Sequence, residues 1–369
     1  MLQFRNRRLS VRNLVPIGGL LSGASVGRQP RFEVTVPKQF VGHLSSRDPL
    51  HPYLVHDVLP QIGVRNSPVD FRVFSMKHHK VYLYEECHSR TQVVGKFFVN
   101  GDDDTDKAIR RMQQEFENLE VLRGYGLSGY PHLVVRPLGT NAWLNSILVE
   151  EYAQGVPLSA FVNNAIHHGE SQTLFEKLTA LAYFLATLHN RTANGHGVDF
   201  HQDCAYLDRL VRKLQVQQAI GVMDADELYW LRDLWRAKPR MWEDNQVFVH
   251  GDATPSNLLF GRGLSVIAID LERMKRADRV FDLGRIAGEL QHYFLQATGN
   301  QHAAEPFIGH FLWEYACHFP DRTSAFRSIT GRLPFQMALT LLRIARNSWV
   351  GVSQRGRLVE EAKVILRTP

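Results

Sequence analysis

The most constraining feature of this chain is a polar loop between two apolar runs, in the segment VFVHGDATPSNLLFGRGLSVIAIDLE at positions 247–272. Asp252 lies at the start of the loop, and Asn257 follows five residues later. Asp270 comes directly after the second apolar run, Val266–Ile269. Short apolar runs bounded by turn residues are typical of buried strands, which hold the intervening loop in place. We therefore expect these three polar side chains to meet at one point.

Two carboxylates and an amide at this spacing suit phosphoryl transfer. That reaction needs an oxygen that accepts the proton of the acceptor hydroxyl, and further oxygens that hold Mg²⁺ against the phosphates. Asp252 suits the first task, whereas Asn257 and Asp270 suit the second. The alternative is an Asp-capped turn before a buried strand, a common arrangement that needs no ligand.

The pattern HGDxxxxN followed by IDxE resembles that of the aminoglycoside phosphotransferase and choline kinase superfamily, small-molecule kinases with a protein-kinase-like fold. The resemblance implies that Asp252 positions or deprotonates the substrate hydroxyl and that Asn257 and Asp270 bind magnesium. It also implies that His250 braces the loop and that Asp282, in the motif VFDLG, bonds the loop's backbone. Both would then be structural support.

Glu272 is a further candidate in the same segment, two residues after Asp270. Residues two apart in an extended chain project to the same side. If the chain is extended there, Glu272 would assist at the metal or contact the substrate.

Three runs rich in β-branched and aromatic residues predict antiparallel strands upstream, at Phe71–Met76, Val81–Glu85 and Gln92–Val99. Lys96 lies in the third run, where a lysine is costly to bury unless its ammonium group meets a phosphate or a carboxylate. The resemblance implies that Lys96 binds the nucleotide. Alternation along the strand alone would also allow it to face solvent.

A helical stripe of apolar residues follows in Lys107–Arg123, for which Asp106 or Thr105 is the expected N-cap. In the segment QEFENLEVL, Glu115 resembles the family's glutamate that pairs with the strand lysine. Glu117 is the alternative if the register differs. Without a nucleotide site, either residue would belong to a solvated helix face.

The segment ILVEEYAQGVPL at positions 147–158 resembles the hinge of the superfamily. The resemblance assigns adenine recognition to the carbonyl of Glu151 and the amide of Ala153. The same residues also fit a strand that ends in a turn and binds nothing. The turn Lys77–Lys80 has no glycine, unlike the loop with which kinases usually cover the phosphates, so the choice between ATP and GTP stays open.

Together these patterns predict an α+β, bilobal, protein-kinase-like fold with a small antiparallel-sheet N-lobe and a larger, mostly helical C-lobe. We expect residues 1–32 to form a disordered basic arm and residues 33–68 an irregular lead-in with one short helix. Residues 69–152 would form the nucleotide-binding N-lobe. Residues 153–369 would form the helical C-lobe, with the catalytic loop and the acceptor site.

The net charge of +6 originates in the arm, which contains six arginines and no acidic residue. The rest of the chain has 37 basic and 37 acidic residues, so we expect no nucleic-acid partner. No apolar run is long enough to span a membrane, and three scattered cysteines form no disulfide framework. A cytoplasmic location fits both. The arm also fits a targeting peptide, a short secretory segment at Leu14–Val26, or a misplaced start codon.

The predicted function is therefore the transfer of phosphate from ATP, with Mg²⁺, to a hydroxyl of a small molecule. Acidic residues such as Asp278, Glu289 and Glu305 could receive a cationic acceptor, but the acceptor and the oligomeric state are not predicted. A protein kinase is a weaker alternative because HGD replaces HRD and because Leu-Glu, not Phe-Gly, follows Asp270. A nucleotide-binding scaffold with weak or lost catalysis is the other alternative, which the missing glycine favours.

Overall fold

The computed structural model of this chain describes residues 38–65, 69–76, 80–99 and 104–368. The predicted basic arm at residues 1–32 lies outside the described residues, and so do residues 77–79 of the turn without glycine. In the described ranges, no helix has both the length and the apolar character needed to cross a membrane.

The described strands are short and mostly antiparallel. In chain order they are β1 (Gln39–His43), β2 (Phe71–Ser75), β3 (Val81–Glu86), β4 (Gln92–Phe97), β5 (Ser128–Gly129), β6 (His132–Val134), β7 (Pro137–Asn141), β8 (Ile147–Glu151), β9 (Val156–Pro157), β10 (Val247–Val249), β11 (Leu258–Phe260), β12 (Val266–Ala268) and β13 (Lys275–Ala277).

The described helices occupy most of the second half of the chain. In chain order they are α1 (Leu50–Tyr53), α2 (Thr105–Gly124), α3 (Leu158–His168), α4 (Ser171–Thr192), α5 (His201–Val216), α6 (Val222–Arg236), α7 (Val280–Thr298), α8 (Glu305–Ala316), α9 (Arg322–Ala345) and α10 (Val352–Arg367). A π-helical turn (Leu54–Val58) and a 3-10 turn (Leu59–Ile62) extend α1, and another 3-10 turn (Pro239–Trp242) follows α6.

Six strands form the antiparallel sheet of the N-terminal lobe, in the order β1-β2-β3-β4-β8-β7. The three strands predicted from β-branched and aromatic residues are present as β2, β3 and β4. Part of the segment expected to be an irregular lead-in pairs with β2 as the edge strand β1. Its sequence, QFVGH, gave no clear alternation because its residues are exposed or half-buried.

The two faces of this sheet pack against two different hydrophobic cores. Val93 and Val149 belong to a core cluster that Leu54, in the turn after α1, also joins. Leu148 instead joins the main core together with Met112 of α2. Lys96 pairs with Leu148 in the register of β4 and β8, so its side chain projects from the face that α2 covers.

Helix α2 begins at Asp104, whose carboxylate accepts hydrogen bonds from the amides of Asp106 and Lys107. The expectation that Asp106 or Thr105 would be the N-cap was therefore wrong by one or two residues. The cause is that several consecutive aspartates in the sequence offer equivalent caps.

The C-terminal lobe packs its helices around α7 and α9, which lie close together. A Cβ atom at Gly284 of α7 would overlap the Cβ of Gln336 in α9, and one at Gly288 would overlap that of Thr340. These glycines therefore permit the close approach of the two helices. The other described strands form a small sheet, ordered β5-β6-β12-β11-β9, and the ribbon β10-β13. This arrangement confirms the predicted α+β class.

Candidate functional site

The polar loop begins directly after β10 and is held by a buried carboxylate from α7. One oxygen of Asp282 accepts a hydrogen bond from the amide of His250 at 2.7 Å, and the other accepts one from the amide of Gly251 at 3.1 Å. The buried side chain of His189 contributes a third contact at 3.3 Å. Burial opposes ionisation, but the His189 contact and these backbone bonds keep the pKa of Asp282 below its usual range.

Gly251 has a left-handed backbone conformation, with φ of +79°. A Cβ atom there would overlap the backbone carbonyl of Arg273. Both observations explain why the residue between His250 and Asp252 has to be glycine.

The structure places the side chains of Asn257 and Asp270 side by side and joins Asn257 to the backbone of Asp252. The side-chain amide of Asn257 donates to the backbone carbonyl of Asp252 at 3.0 Å and lies 3.4 Å from a carboxylate oxygen of Asp270. Asp270 has φ of +65°, an unusual conformation for a residue with a side chain. Such conformations are common where a functional side chain needs a particular direction.

Lys96 meets two buried glutamates on the α2 side of the sheet. Its ammonium nitrogen lies 2.6 Å from Oε1 of Glu115 and 3.2 Å from Oε1 of Glu150. Glu117, the alternative partner, is exposed. Burial would lower the pKa of Lys96, but the carboxylates of Glu115, Glu150 and Asp270 outweigh it and raise that pKa. Burial also raises the pKa of both glutamates, and the ammonium group of Lys96 offsets only part of this rise.

Three carboxylates form a group that suits a hard divalent cation. Ligand atoms of Glu115, Asp270 and Glu272 lie within 4.8 Å of one another. All are oxygen donors, the kind that Mg²⁺ prefers. Glu272 also accepts two hydrogen bonds from Arg111 of α2, at 2.9 and 3.0 Å, so it lies between the helix and the loop rather than on an extended strand.

The segment expected to be a hinge connects β8 to α3 across the two lobes. The backbone amide of Glu151 donates to the carbonyl of Arg136 at 2.9 Å, and its side chain forms an ion pair with Arg136 at 3.3 Å. The amide of Ala153 has no backbone partner among the residues that the structure describes.

The motifs did not indicate the basic side chains that surround Asp252. Arg343 of α9 donates to Oδ1 of Asp252 at 2.7 Å and lies 3.3 Å from Oε1 of Glu289. Arg285 of α7 is buried nearby, within electrostatic reach of Asp252. Arg343 is 91 residues from Asp252 along the chain, so no local pattern joins them. Glu150 was also missed, although the doubled glutamate at the end of an apolar strand was a possible signal.

A model of the phosphotransferase enzyme family matches residues 83–317, more than half of the chain. No curated protein matches the sequence significantly. Among solved structures, an ethanolamine kinase from Plasmodium vivax has a TM-score of 0.56 at 11% identity, over 86% of each chain. A choline kinase from Cryptosporidium parvum has a TM-score of 0.55 at 11% identity, over 85% of this chain and 91% of that one.

At this identity the two solved structures show the fold alone, and they confirm the predicted bilobal, kinase-like architecture. The family match covers β4, α2, the hinge segment and the polar loop, the segments from which the resemblance was drawn. The chain therefore belongs to the phosphotransferase enzyme family.

Proposed function

We propose that this protein transfers the γ-phosphoryl group of ATP to a hydroxyl of a small molecule. The observation that carries the proposal is the proximity of the polar loop to Lys96 and its glutamate partners. Asp270 lies within electrostatic reach of Lys96, and Asn257 links Asp270 to the backbone of Asp252. These contacts support the proposal, because they place a lysine, metal-competent oxygens and a candidate proton acceptor near one another, as phosphoryl transfer requires.

Asp252 would accept the proton of the acceptor hydroxyl. In this step, a bond forms between the acceptor oxygen and the γ-phosphorus, and the bond from that phosphorus to the β,γ-bridging oxygen breaks. The hydroxyl proton passes to the Asp252 carboxylate, and ADP and a phosphate ester are released. The carboxylate is partly exposed, so that a small hydroxyl compound can reach it.

Asn257 and Asp270 would hold Mg²⁺. Glu272 is a further candidate ligand, because its carboxylate lies in the same cluster as that of Asp270. When bound, Mg²⁺ supplies positive charge that neutralises the phosphate oxygens. The oxygen-only donor set fits this ion better than a softer metal.

Lys96, oriented by Glu115, would bind the nucleotide phosphates, while the carbonyl of Glu151 and the amide of Ala153 would bind the adenine. The nucleotide would then lie between an N-lobe of residues 69–152 and a C-lobe of residues 153–369. We place the reaction in the cytoplasm because that compartment supplies ATP.

Thermal unfolding with ATP or GTP, each with and without Mg²⁺, tests this proposal. We expect a nucleotide to raise Tm in a magnesium-dependent way in the wild type, because ligands that bind the folded state stabilise it. Asp270→Asn should lose the magnesium-dependent part of the increase. Asp226→Asn, a matched change at an exposed site in α6, should retain it.

The absence of any nucleotide-dependent shift in the wild type would contradict the proposal. A shift without turnover of any acceptor would instead favour a nucleotide-binding scaffold.

A further inference from the structure

The side chains around Asp252 form a predominantly basic cluster built from two helices. Arg285 and Glu289 lie four residues apart on α7 and therefore share a face of that helix. Arg343 reaches them from α9, which the close packing at Gly284 and Gly288 holds against α7. Its guanidinium contacts both Glu289 and Asp252. We call Arg285, Glu289 and Arg343 the arginine cluster.

Arg285 is a buried cation that forms no ion pair with a carboxylate of the described residues. Arg285 is only 4% exposed, and its Nε and one terminal nitrogen have no hydrogen-bond partner among the described residues. Burial lowers the pKa of Arg285, and the neighbouring guanidinium of Arg343 adds to that effect. An arginine nevertheless stays protonated in a protein, and the ring of Phe281 and the nearby carboxylates of Asp252 and Glu289 offset the cost of its burial only in part, so an approaching anion would be favoured.

The charges do not balance within the arginine cluster. Glu289 is its single acid, and that acid already contacts Arg343 at 3.3 Å. Arg343 also retains an Nε without a partner among the described residues. Beside the cluster, Arg273 lies 3.9 Å from the second carboxylate oxygen of Asp252 and adds another positive charge. The buried guanidinium of Arg285 and the half-buried side chain of Arg343 therefore have donors near the proposed proton acceptor that no described residue satisfies.

The acidic residues that the sequence offered to a cationic acceptor are all occupied. Asp278 forms an ion pair with Arg332 at 2.9 Å, and Glu289 forms one with Arg343. Glu305 lies 2.6 Å from the imidazole of His302. Asp278 and Glu289 are therefore each paired with an arginine, and Glu305 contacts a histidine far from Asp252 in sequence.

We propose that the acceptor carries an anionic group, a carboxylate or a phosphate, and that Arg285 and Arg343 bind this group while the acceptor hydroxyl reaches Asp252. The inference rests on the proposed function and specifies its substrate class. Arginine suits the role because its planar donors match both carboxylate and phosphate oxygens. A cationic acceptor would instead meet like charges, which disfavour binding.

A series of small hydroxyl compounds that differ in charge tests the inference on the wild-type enzyme. D-glycerate and glycerol 3-phosphate are the anionic probes, glycerol is the neutral one and choline the cationic one. With saturating Mg²⁺ and ATP, we expect kcat/KM for ADP release to be at least about tenfold higher with an anionic probe. The better of the two anionic probes distinguishes a carboxylate from a phosphate.

Binding gives a second readout that does not depend on turnover. On enzyme saturated with Mg²⁺ and a non-hydrolysable ATP analogue, an anionic probe should raise Tm, whereas glycerol and choline should not. Arg285→Gln should weaken that binding on the order of tenfold to a hundredfold, because one charged contact is lost. Arg285→Lys, which keeps the charge, should restore part of it. The control variant Arg327→Gln, which lies about 24 Å from Arg343 along α9, should bind the anionic probe as the wild type does.

Equal or better kcat/KM with choline would overturn the inference, and so would the absence of a Tm shift with both anionic probes. An equal loss of kcat with every probe in Arg285→Gln would also overturn it, because the arginine would then act on the transferred phosphoryl group. These failures differ from a failure of the proposed function, in which the ATP analogue itself would give no magnesium-dependent shift.

Discussion

Asp252 lies where the proposed proton transfer takes place, and its side chain can be altered without disturbing the loop's backbone contacts. Its carbonyl, not its carboxylate, binds Asn257. We therefore expect Asp252→Asn to keep nucleotide binding but to lose on the order of 10² to 10⁴ in kcat, the usual contribution of a positioned general base. Steady-state kinetics with a turned-over acceptor, beside a nucleotide Tm shift, measure both. Wild-type turnover in this variant would remove Asp252 from the mechanism.

Gly251 determines the shape of the same loop. Because its φ is +79° and a Cβ would overlap the carbonyl of Arg273, Gly251→Ala should lower the free energy of unfolding by several kcal/mol, on the order of a strained backbone plus a steric clash. Urea denaturation measures the change. Gly124→Ala, at the end of α2 with open space around a Cβ, should be neutral or slightly stabilising. Equal stability of the two variants would contradict this account.

The residues of the loop were predictable because their chemistry depends on short offsets along the chain. His250, Asp252, Asn257 and Asp270 lie in one segment whose flanking strands position it. Arg343 reaches Asp252 from a distant helix, and no local spacing encodes that contact. The sequence therefore indicated the residues proposed for the chemistry better than it indicated the basic side chains around Asp252.

Helix α2 is fixed to the segment after Asp270 by two contacts. Asn118 donates a buried hydrogen bond to the carbonyl of Leu271 at 2.7 Å, and Arg111 pairs with Glu272. The same helix supplies Glu115 to Lys96, so its position couples Lys96 to the loop. The apolar stripe in the sequence predicted this helix. The sequence did not predict its polar anchors, because an asparagine in the interior of a helix belongs to no local pattern that would indicate its partner.

Loss of the Asn118 anchor should weaken both the fold and the nucleotide site. Asn118→Ala removes one of the two hydrogen bonds to the Leu271 carbonyl, which keeps the bond from the amide of Met274, so the loss should cost about 0.5–1.5 kcal/mol of stability. We also expect a higher KM for ATP, because α2 positions Glu115. Urea midpoints and ATP kinetics provide the two measurements, with Glu117→Ala, exposed on the same helix, as the control. An unchanged KM would show that α2 keeps its position without this bond.

At the scale of the whole molecule, the C-lobe buries several ionisable side chains. Asp203, at the start of α5, is 3% exposed, and its Oδ1 has no hydrogen-bond partner among the described residues. Burial raises the pKa of Asp203 to about 7; Lys275 opposes the shift and Asp278 adds to it. Composition could not reveal this feature, because an aspartate near a helix start is ordinarily an exposed cap.

The raised pKa makes stability depend on pH in a defined direction. Between about pH 4, the ordinary value for an aspartate, and about pH 7, the folded state binds a proton that the unfolded state has released. The contribution of Asp203 to stability therefore falls as the pH rises through this window, by about 1.4 kcal/mol for each unit of pKa difference. Asp203→Asn removes the titrating group and should gain stability relative to the wild type as the pH increases.

Urea denaturation of both proteins at pH 5 and pH 8 measures this difference. We expect Asp203→Asn to be stabilised relative to the wild type by on the order of 1–3 kcal/mol more at pH 8 than at pH 5. Asp226→Asn, which replaces an exposed carboxylate, should differ from the wild type by the same amount at both pH values. If Asp203→Asn also showed a constant difference, Asp203 would be ionised throughout, and its charge would have to be compensated by Lys275.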